Sequence, residues 1–209
     1  MTVEVEVEPA VARQIFGDRI ELARRYADLL VRDGDMLGLL GPRELPKLWS
    51  RHILNSAVVS DAIHKGENVA DIGSGAGLPG IPMAIRMPEA HFTLIEPMER
   101  RADWLKQAIE GLALENVTVT RARAEEVAPK QFDVVTSRAL AALPKLLKMA
   151  VPLAKSGGRI VSLKGQKAAE EIAEATKLHK KLGIRSSTVR YTGTDLLAEP
   201  TLVVETQLL

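Results

Sequence analysis

The chain of 209 residues contains no cysteine, which excludes disulfide bonds, thiolate metal sites and a cysteine nucleophile. It also has no apolar run that approaches the roughly 20 residues needed to span a membrane. Residues 1–10 alternate valine with glutamate, without the positive start or apolar stretch of a signal peptide. These absences predict a cytoplasmic protein that makes no use of a membrane, with residues enough for one domain.

Several common catalytic and binding patterns are missing as well. There is no Walker A sequence, no pair of histidine and acid at zinc spacing, and no readable Ser–His–Asp set. The four histidines are scattered along the chain, and each is expected to be a core or surface residue. We therefore predict no metal site.

Charge is distributed unevenly along the chain although the net charge is only +1. Residues 1–97 carry a net charge of −4, residues 98–190 carry +8, and residues 191–209 carry −3. A basic middle between acidic ends suggests one face that meets an anion, and random scatter over a solvated surface is the alternative.

Hydrophobic periodicity predicts strands that alternate with helices. We expect strands at 67–72, 91–96, 117–120, 132–136, 158–164, 185–192 and 201–206, and helices at 11–32, 49–63, 98–112, 140–150 and 166–182, with another from the glycine loop to about residue 87. This alternation predicts an α/β fold whose sheet is mostly parallel, with an antiparallel edge strand from the closing hairpin. Residues 1–64 are predicted to form an N-terminal helical extension packed on a domain of residues 65–209, the whole being one structural unit.

The strongest local signal is the segment Asp71-Ile-Gly73-Ser-Gly75-Ala-Gly77-Leu78-Pro-Gly80. This segment, the glycine loop, connects a predicted strand to the predicted helix that follows it. Glycines at such a turn permit positive φ and let a ligand approach the backbone closely. The next strand ends in Glu96, which is well placed to accept hydrogen bonds from a ribose diol at the carboxyl edge of the sheet.

Three interpretations of this loop remain open. Gly75, Gly77 and Gly80 satisfy the dinucleotide fingerprint, and Glu96 follows at the expected distance. Asp-x-Gly-x-Gly-x-Gly is instead the usual form in S-adenosylmethionine enzymes, where Asp71 can meet the methionine ammonium. Pro79 and Pro82 remove amide donors that a pyrophosphate would need, which favours the methyl donor. The third interpretation is a purely structural turn.

What the chain lacks also narrows the reaction. Methylation at C5 of a pyrimidine usually needs a thiolate, and exocyclic amines commonly use Asn/Asp-Pro-Pro-aromatic where this chain has Ser137-Arg138-Ala139-Leu140. A ring nitrogen such as guanine N7 has a free lone pair and requires no general base, so alignment in a dry site suffices. We therefore assign no catalytic side chain.

Other charged residues at strand ends are candidates for ligand contact. Arg138 should face the crevice, where it can bind a carboxylate or phosphate or stack on a base. Ala124 and Glu125 follow the third strand and can border an adenine. For each, an ordinary solvated position is the alternative. Candidates for phosphate contact are Arg100, Arg101, Lys106, Arg121, Lys164 and Lys167.

Five segments in order resemble one known family: Leu48-Trp-x-Arg51-His52-Ile-Leu-Asn-Ser56, the glycine loop through Pro82, Arg123-Ala124-Glu125-Glu126, Ser137-Arg138-Ala139 and Leu163-Lys164-Gly165. They are similar to the bacterial small-subunit rRNA guanine-N7 methyltransferases, the glucose-inhibited division protein B family. The Trp-x-Arg-His segment is the most specific part. The similarity spans about residues 10–165.

The resemblance implies a Rossmann-like methyltransferase sheet and methyl transfer from S-adenosylmethionine to N7 of a guanosine in a loop of small-subunit ribosomal RNA. It implies cofactor contacts at Gly73, Leu78, Ala124, Glu125 and Arg138, beside Asp71, Gly75 and Glu96 from the loop argument. It implies RNA contacts at Arg51, His52, Arg123 and Lys164, beside Arg100.

A chain of net charge +1 should bind free RNA weakly, so a partly assembled ribosomal subunit is an expected partner. A methyltransferase for small molecules and a non-catalytic nucleotide- or RNA-binding module remain as alternatives. The target nucleotide and the oligomeric state do not follow from the sequence.

Overall fold

A seven-stranded sheet forms the centre of the computed structural model, which describes residues 4–209. Its strands are β1 (Asn68–Ile72), β2 (His91–Ile95), β3 (Val117–Thr120), β4 (Phe132–Arg138), β5 (Ala154–Leu163), β6 (Ile184–Thr192) and β7 (Thr201–Leu208). They lie in the order β3-β2-β1-β4-β5-β7-β6, with β7 antiparallel to both of its neighbours and β1 to β5 parallel. The predicted α/β class and every predicted strand are confirmed. The antiparallel strand β7 lies between β5 and the edge strand β6.

Helices connect the strands and cover both faces of the sheet. They are α1 (Val11–Phe16), α2 (Ile20–Asp33), α3 (Asn55–Ala57), α4 (Gly80–Arg86), α5 (Glu99–Gly111), α6 (Leu143–Ala150), α7 (Ala168–Thr176) and α8 (His179–Leu182). Short 3-10 turns lie at Gly17–Arg19, Pro42–Lys47, Val58–Ala62 and Ala124–Glu126, and a π-helix spans Leu48–Leu54. Across residues 4–209, no helix is both long and apolar enough to cross a membrane.

Alternating side chains of the central strands divide the core into two layers. Val69 of β1 packs with Phe92 in the layer beneath α2, whereas Ala70 and Ile72 pack in the layer beneath α6. Because parallel strands covered on both faces must be apolar on both faces, β1 is buried from its second residue onward. The polar exceptions on such strands are therefore informative, and Asp71 is one of them.

The N-terminal helices share the first core layer with the sheet. Tyr26 and Leu30 of α2 are fully buried in the same apolar cluster as Phe92. The Tyr26 hydroxyl donates a hydrogen bond to the carbonyl oxygen of Ala76, 2.7 Å away in the glycine loop. Helix α2 thus anchors the glycine loop through this hydrogen bond. The division between residues 64 and 65 stays a prediction.

The second predicted helix, 49–63, is wrong as a continuous α-helix. The π-helix, the single turn α3 and a 3-10 turn occupy this part of the chain, and another 3-10 turn, Pro42–Lys47, precedes it. Pro42 and Pro46 lack amide donors and disturb the turn that precedes it. Within the π-helix the His52 carbonyl accepts a hydrogen bond from Arg138, a tertiary contact that no local pattern encodes.

Four other helices differ from their predicted extents. The helix predicted at 140–150 begins at Leu143 because Ala139 has a left-handed backbone, φ +51°, and Pro144 marks the first turn. The helix after the glycine loop begins only at Gly80. The helix predicted at 166–182 is divided into α7 and α8, and the predicted 11–32 helix is interrupted by the turn at Gly17–Arg19.

Tyr26→Phe should lower the free energy of unfolding by about 1–2 kcal/mol, because it leaves the Ala76 carbonyl without its partner. The matched control is Tyr191→Phe, since the Tyr191 side chain is exposed on β6 and donates no hydrogen bond to residues 4–209. Urea denaturation of both variants measures the difference. Equal unfolding free energies for the two variants would contradict the tertiary role given to the Tyr26 hydroxyl.

Candidate active site

The glycine loop lies at the carboxyl end of β1 and crosses toward β2. The amides of Gly73 and Ser74 donate to the Ile95 carbonyl at 2.8 and 3.2 Å, so the loop is anchored to the neighbouring strand. Gly73 has φ +70°, and a Cβ there would lie 2.6 Å from Leu140 Cδ1. Glycine at position 73 therefore permits both a conformation that other residues rarely adopt and the close packing of Leu140 against the loop.

Asp71 supports the loop from beneath. Its carboxyl is fully buried, and Oδ2 accepts the Gly80 amide at 3.1 Å where α4 begins. A Cβ on Gly80 would lie 2.8 Å from the same oxygen, so only glycine fits there without displacing the carboxyl. Burial raises the pKa of Asp71 to about 7, against the opposing effect of the Gly80 amide. Oδ1 has no hydrogen-bond partner within residues 4–209.

Glu96 joins the loop to the start of α5. It is buried, and its two carboxylate oxygens accept one backbone amide each, Gly75 at 2.9 Å and Met98 at 2.9 Å. Each oxygen of an ionised carboxylate has a second lone pair. Glu96 is thus held in one orientation while it keeps acceptor capacity for the ribose diol that the sequence analysis expects.

Arg138, at the end of β4, connects the sheet to the π-helix. Its guanidinium donates to the His52 carbonyl and to Ser56 Oγ, both at 3.1 Å, and to His52 Nδ1 at 2.8 Å. Burial lowers the pKa of Arg138, which stays protonated because an arginine begins far above neutrality. The side chain is therefore a cation fixed at the carboxyl edge of the sheet.

His52 orients Arg138 through both of its ring nitrogens. Since Nδ1 accepts from Arg138, Nε2 carries the proton and donates to Glu44 Oε2 at 2.7 Å. Burial, followed by the Arg138 charge, lowers the pKa of His52 and keeps the ring neutral. The hydrogen bond from His52 lowers the pKa of Glu44, so the row Glu44–His52–Arg138 is one ionised acid, one neutral ring and one cation.

The remaining cofactor candidates follow the ends of β1 and β3. Leu78 is buried at the end of the glycine loop. Ala124 and Glu125 belong to the 3-10 turn after β3, with Glu125 exposed and Ala124 half-buried. This turn adjoins Glu96 through the parallel pairing of β2 with β3.

The RNA candidates separate into exposed and buried side chains. Arg51, Arg100 and Arg123 are exposed on the side of the molecule where the parallel strands end. Arg51 lies 3.4 Å from Glu44, and Arg100 donates to the Leu37 carbonyl. These three remain available for phosphate contact.

Direct RNA contact by His52 or Lys164 is not favoured by the structure. Both side chains are 8% exposed, and the partners of His52 are the groups described above. Lys164 donates to the Ala141 carbonyl and to Glu171 Oε2, each at 2.7 Å. These contacts give both residues a role in positioning the loop after β4 and Arg138.

A cavity of about 1160 Å³ opens beside the glycine loop, and Leu140 forms the partition between them. Its lining includes Arg51, Arg138, Lys164 and Glu171. Sequence reasoning missed Glu171, because an acid in the first turn of a helix is also an ordinary stabiliser of the helix dipole. It also missed residues 196–202, which lie far along the chain and close the cavity from the side of β7.

Comparisons with known proteins find relatives over most of the chain. A family model described as rRNA small subunit methyltransferase G matches residues 19–198. A curated protein named Ribosomal RNA small subunit methyltransferase G, from Pseudarthrobacter chlorophenolicus, is 50% identical over 198 residues, covering 94% of this chain and 92% of the relative. The protein of the same name from Corynebacterium glutamicum is 50% identical over 200 residues, with 94% and 90% covered.

Solved structures show the same fold at low sequence identity. TYW2 of M. jannaschii, in complex with AdoMet, superposes with a TM-score of 0.60 at 23% identity, over 76% of each chain. An O-methyltransferase from Thermotoga maritima described as SAM-dependent superposes with a TM-score of 0.57 at 16% identity, over 79% of this chain and 70% of the other. The predicted Rossmann-like methyltransferase sheet is confirmed.

Asp71→Asn should change how stability depends on pH. The pKa of Asp71 is about 7 in the folded protein and 3.8 in an ordinary setting, so the folded state holds a proton that the unfolded chain releases. The stability that this proton contributes is complete below pH 3.8 and is lost as pH rises through 7. Relative to the variant, the native chain should therefore lose unfolding free energy between about pH 4 and 7, by up to roughly 1.4 kcal/mol per pH unit.

Urea denaturation of both proteins at four pH values from 5 to 8 measures this difference. The two stability curves should approach each other or cross as pH rises, and run parallel above about pH 8. Curves that are parallel over the whole range would show that Asp71 does not titrate between pH 5 and 8 in the folded protein and would contradict a pKa of about 7.

Proposed function

The chain belongs to the rRNA small subunit methyltransferase G family, and from this premise we propose that it methylates N7 of a guanosine in small-subunit ribosomal RNA. The methyl donor is S-adenosylmethionine. The observation that carries the proposal is the glycine loop held open between two buried carboxylates, directly beside a cavity large enough for a nucleotide.

The residues at the carboxyl edge of the sheet fit this cofactor. Gly75 leaves the backbone open to a ligand, Gly73 lets Leu140 pack closely against the loop, and Glu96 has acceptor capacity for the ribose hydroxyls. We propose that Leu78, Ala124 and Glu125 border the adenine and that Arg138 binds the carboxylate of the methionine moiety. Asp71, being fully buried, acts on this site through the Gly80 amide and the loop above it.

Methyl transfer to guanine N7 requires alignment of the reacting groups. When bound, S-adenosylmethionine supplies an electrophilic methyl group on a sulfonium centre. Guanine N7 is an acceptor with a free lone pair, so no side chain has to remove a proton before transfer. What the protein contributes is the fixed direction of approach, which Arg138 and the loop after β4 define.

The RNA would approach the side of the molecule where the parallel strands end. The exposed Arg51, Arg100 and Arg123 can contact its phosphates there. Three such contacts on a chain of net charge +1 give modest affinity for free RNA. We therefore propose a partly assembled small subunit, in the cytoplasm, as the substrate.

Incubation with S-adenosylmethionine should produce 7-methylguanosine in small subunits that lack the modification. Nucleoside digestion and mass spectrometry measure the product, and the undigested fragments locate its position. Subunits incubated without enzyme are the control. No increase in 7-methylguanosine would defeat the proposal, and methylation of small acceptors alone would favour a small-molecule methyltransferase.

Gly73→Val should abolish binding of S-adenosylmethionine, because a branched side chain would collide with Leu140, 2.6 Å from the Cβ position, and displace the loop. Gly66→Val is the matched control, since Gly66 also has positive φ, +81°, but a Cβ there meets nothing within 4 Å. Both variants should lose about 1–3 kcal/mol of stability from backbone strain. Calorimetry should then show binding by the Gly66 variant only, and intact binding by a folded Gly73→Val protein would refute the placement of the cofactor.

A further inference from the structure

The cavity beside the glycine loop has walls of two kinds. Aliphatic side chains of Leu54, Leu140 and Leu163 face it from three different elements, and exposed Lys47 and Arg51 stand on the same lining. Apolar walls suit the faces of a nucleobase, and cations suit the phosphates that flank it. The cavity of about 1160 Å³ holds a nucleoside with room for its backbone.

Glu171 is the acidic side chain of this cavity with the most constrained geometry. Its Oε2 accepts the Leu143 amide at 2.6 Å and Lys164 Nζ at 2.7 Å, which fixes the carboxylate in position. No group within residues 4–209 donates to Oε1, and the side chain remains 23% exposed. One oxygen of Glu171 is therefore held ready for a donor that enters the cavity.

The charge state of Glu171 determines which donors it can accept. Burial alone would raise the pKa of Glu171, but the hydrogen bonds from Lys164 and the Leu143 amide outweigh this and lower it. The group is thus ionised at neutral pH and acts only as an acceptor. It attracts an N–H group and repels a ring nitrogen that presents a lone pair.

We propose that the free oxygen of Glu171 recognises the N1–H and N2–H groups of the target guanine, extruded from the RNA into this cavity. The inference rests on the proposed function and names the residue that makes it specific for guanine. Adenine presents an acceptor at N1, which the carboxylate would repel. In guanine, N7 lies on the opposite edge of the ring from N1, so a base held by Glu171 directs N7 away from α7.

The partition between cavity and cofactor supports the same orientation. Leu140 lines the cavity and also lies closest to the position that a Gly73 Cβ would occupy. Lys164, which is held by Glu171, in turn holds the Ala141 carbonyl in the loop that carries Leu140. A single network therefore connects the proposed contact for the base edge to the side of the cavity where transfer takes place.

The test compares guanosine with inosine at the target position, in subunits reassembled around ligated rRNA. Inosine keeps N1–H and N7 but lacks the N2 amino group. Mass spectrometry of the native product first locates the position. Native enzyme should show kcat/KM roughly tenfold or more in favour of guanosine, and Glu171→Gln should bring the ratio of the two substrates close to one.

Glu170→Gln, at an exposed neighbour in the same turn, is the control and should keep the native ratio. Thermal melting and binding of S-adenosylmethionine are measured for all three proteins. Equal loss on both substrates in Glu171→Gln, down to background included, would assign Glu171 a structural role and overturn the inference. So would a native enzyme that methylates both substrates equally, whereas a native enzyme that methylates neither would refute the proposed function itself.

Discussion

The candidate site depends on the hydrogen bonds that hold the glycine loop between two buried carboxylates. Glu96 accepts the amide of Gly75, and Asp71 accepts the amide of Gly80. Both acids end adjacent strands of the sheet, so the position of the loop follows from the parallel pairing of β1 with β2. A loop with three left-handed glycines has little conformational preference of its own, and these contacts provide what the glycines lack.

A second network connects this loop to the chain segment before the sheet. Tyr26 binds the Ala76 carbonyl from α2, and His52 binds Arg138 from the π-helix. Both contacts join the first sixty residues to the carboxyl edge of the sheet. The segment before the sheet therefore does more than cover apolar surface, since it fixes the orientation of the Arg138 guanidinium at this edge.

The cavity beyond Leu140 adds a second compartment to the site. The glycine loop and Glu96 form one side, and Lys164 with Glu171 forms the other. Leu140 and Arg138 stand between them at the end of β4. Such a division suits a transfer reaction, because donor and acceptor can bind in separate compartments and come into contact where the two join beside Leu140.

The sequence by itself determined the sheet and the glycine loop, because hydrophobic alternation and glycine-rich turns are local signals that burial on two faces makes strict. Every strand and the position of Glu96 beside the loop could be inferred in this way, whereas the family was indicated by its resemblance to five motifs in order. Local pattern failed at residues 49–63, where a contact with Arg138 from 86 residues away accompanies a π-helix. It also failed to separate the buried Lys164 and His52 from the exposed Arg51, since the residue type alone does not show whether a charged side chain is buried.

Only the tertiary structure decided that Glu171 faces the cavity with one free oxygen. The hydrogen-bond partners of Glu171 are Leu143 and Lys164, which belong to other parts of the chain. These three residues come within hydrogen-bond distance only when β5, α6 and α7 pack together.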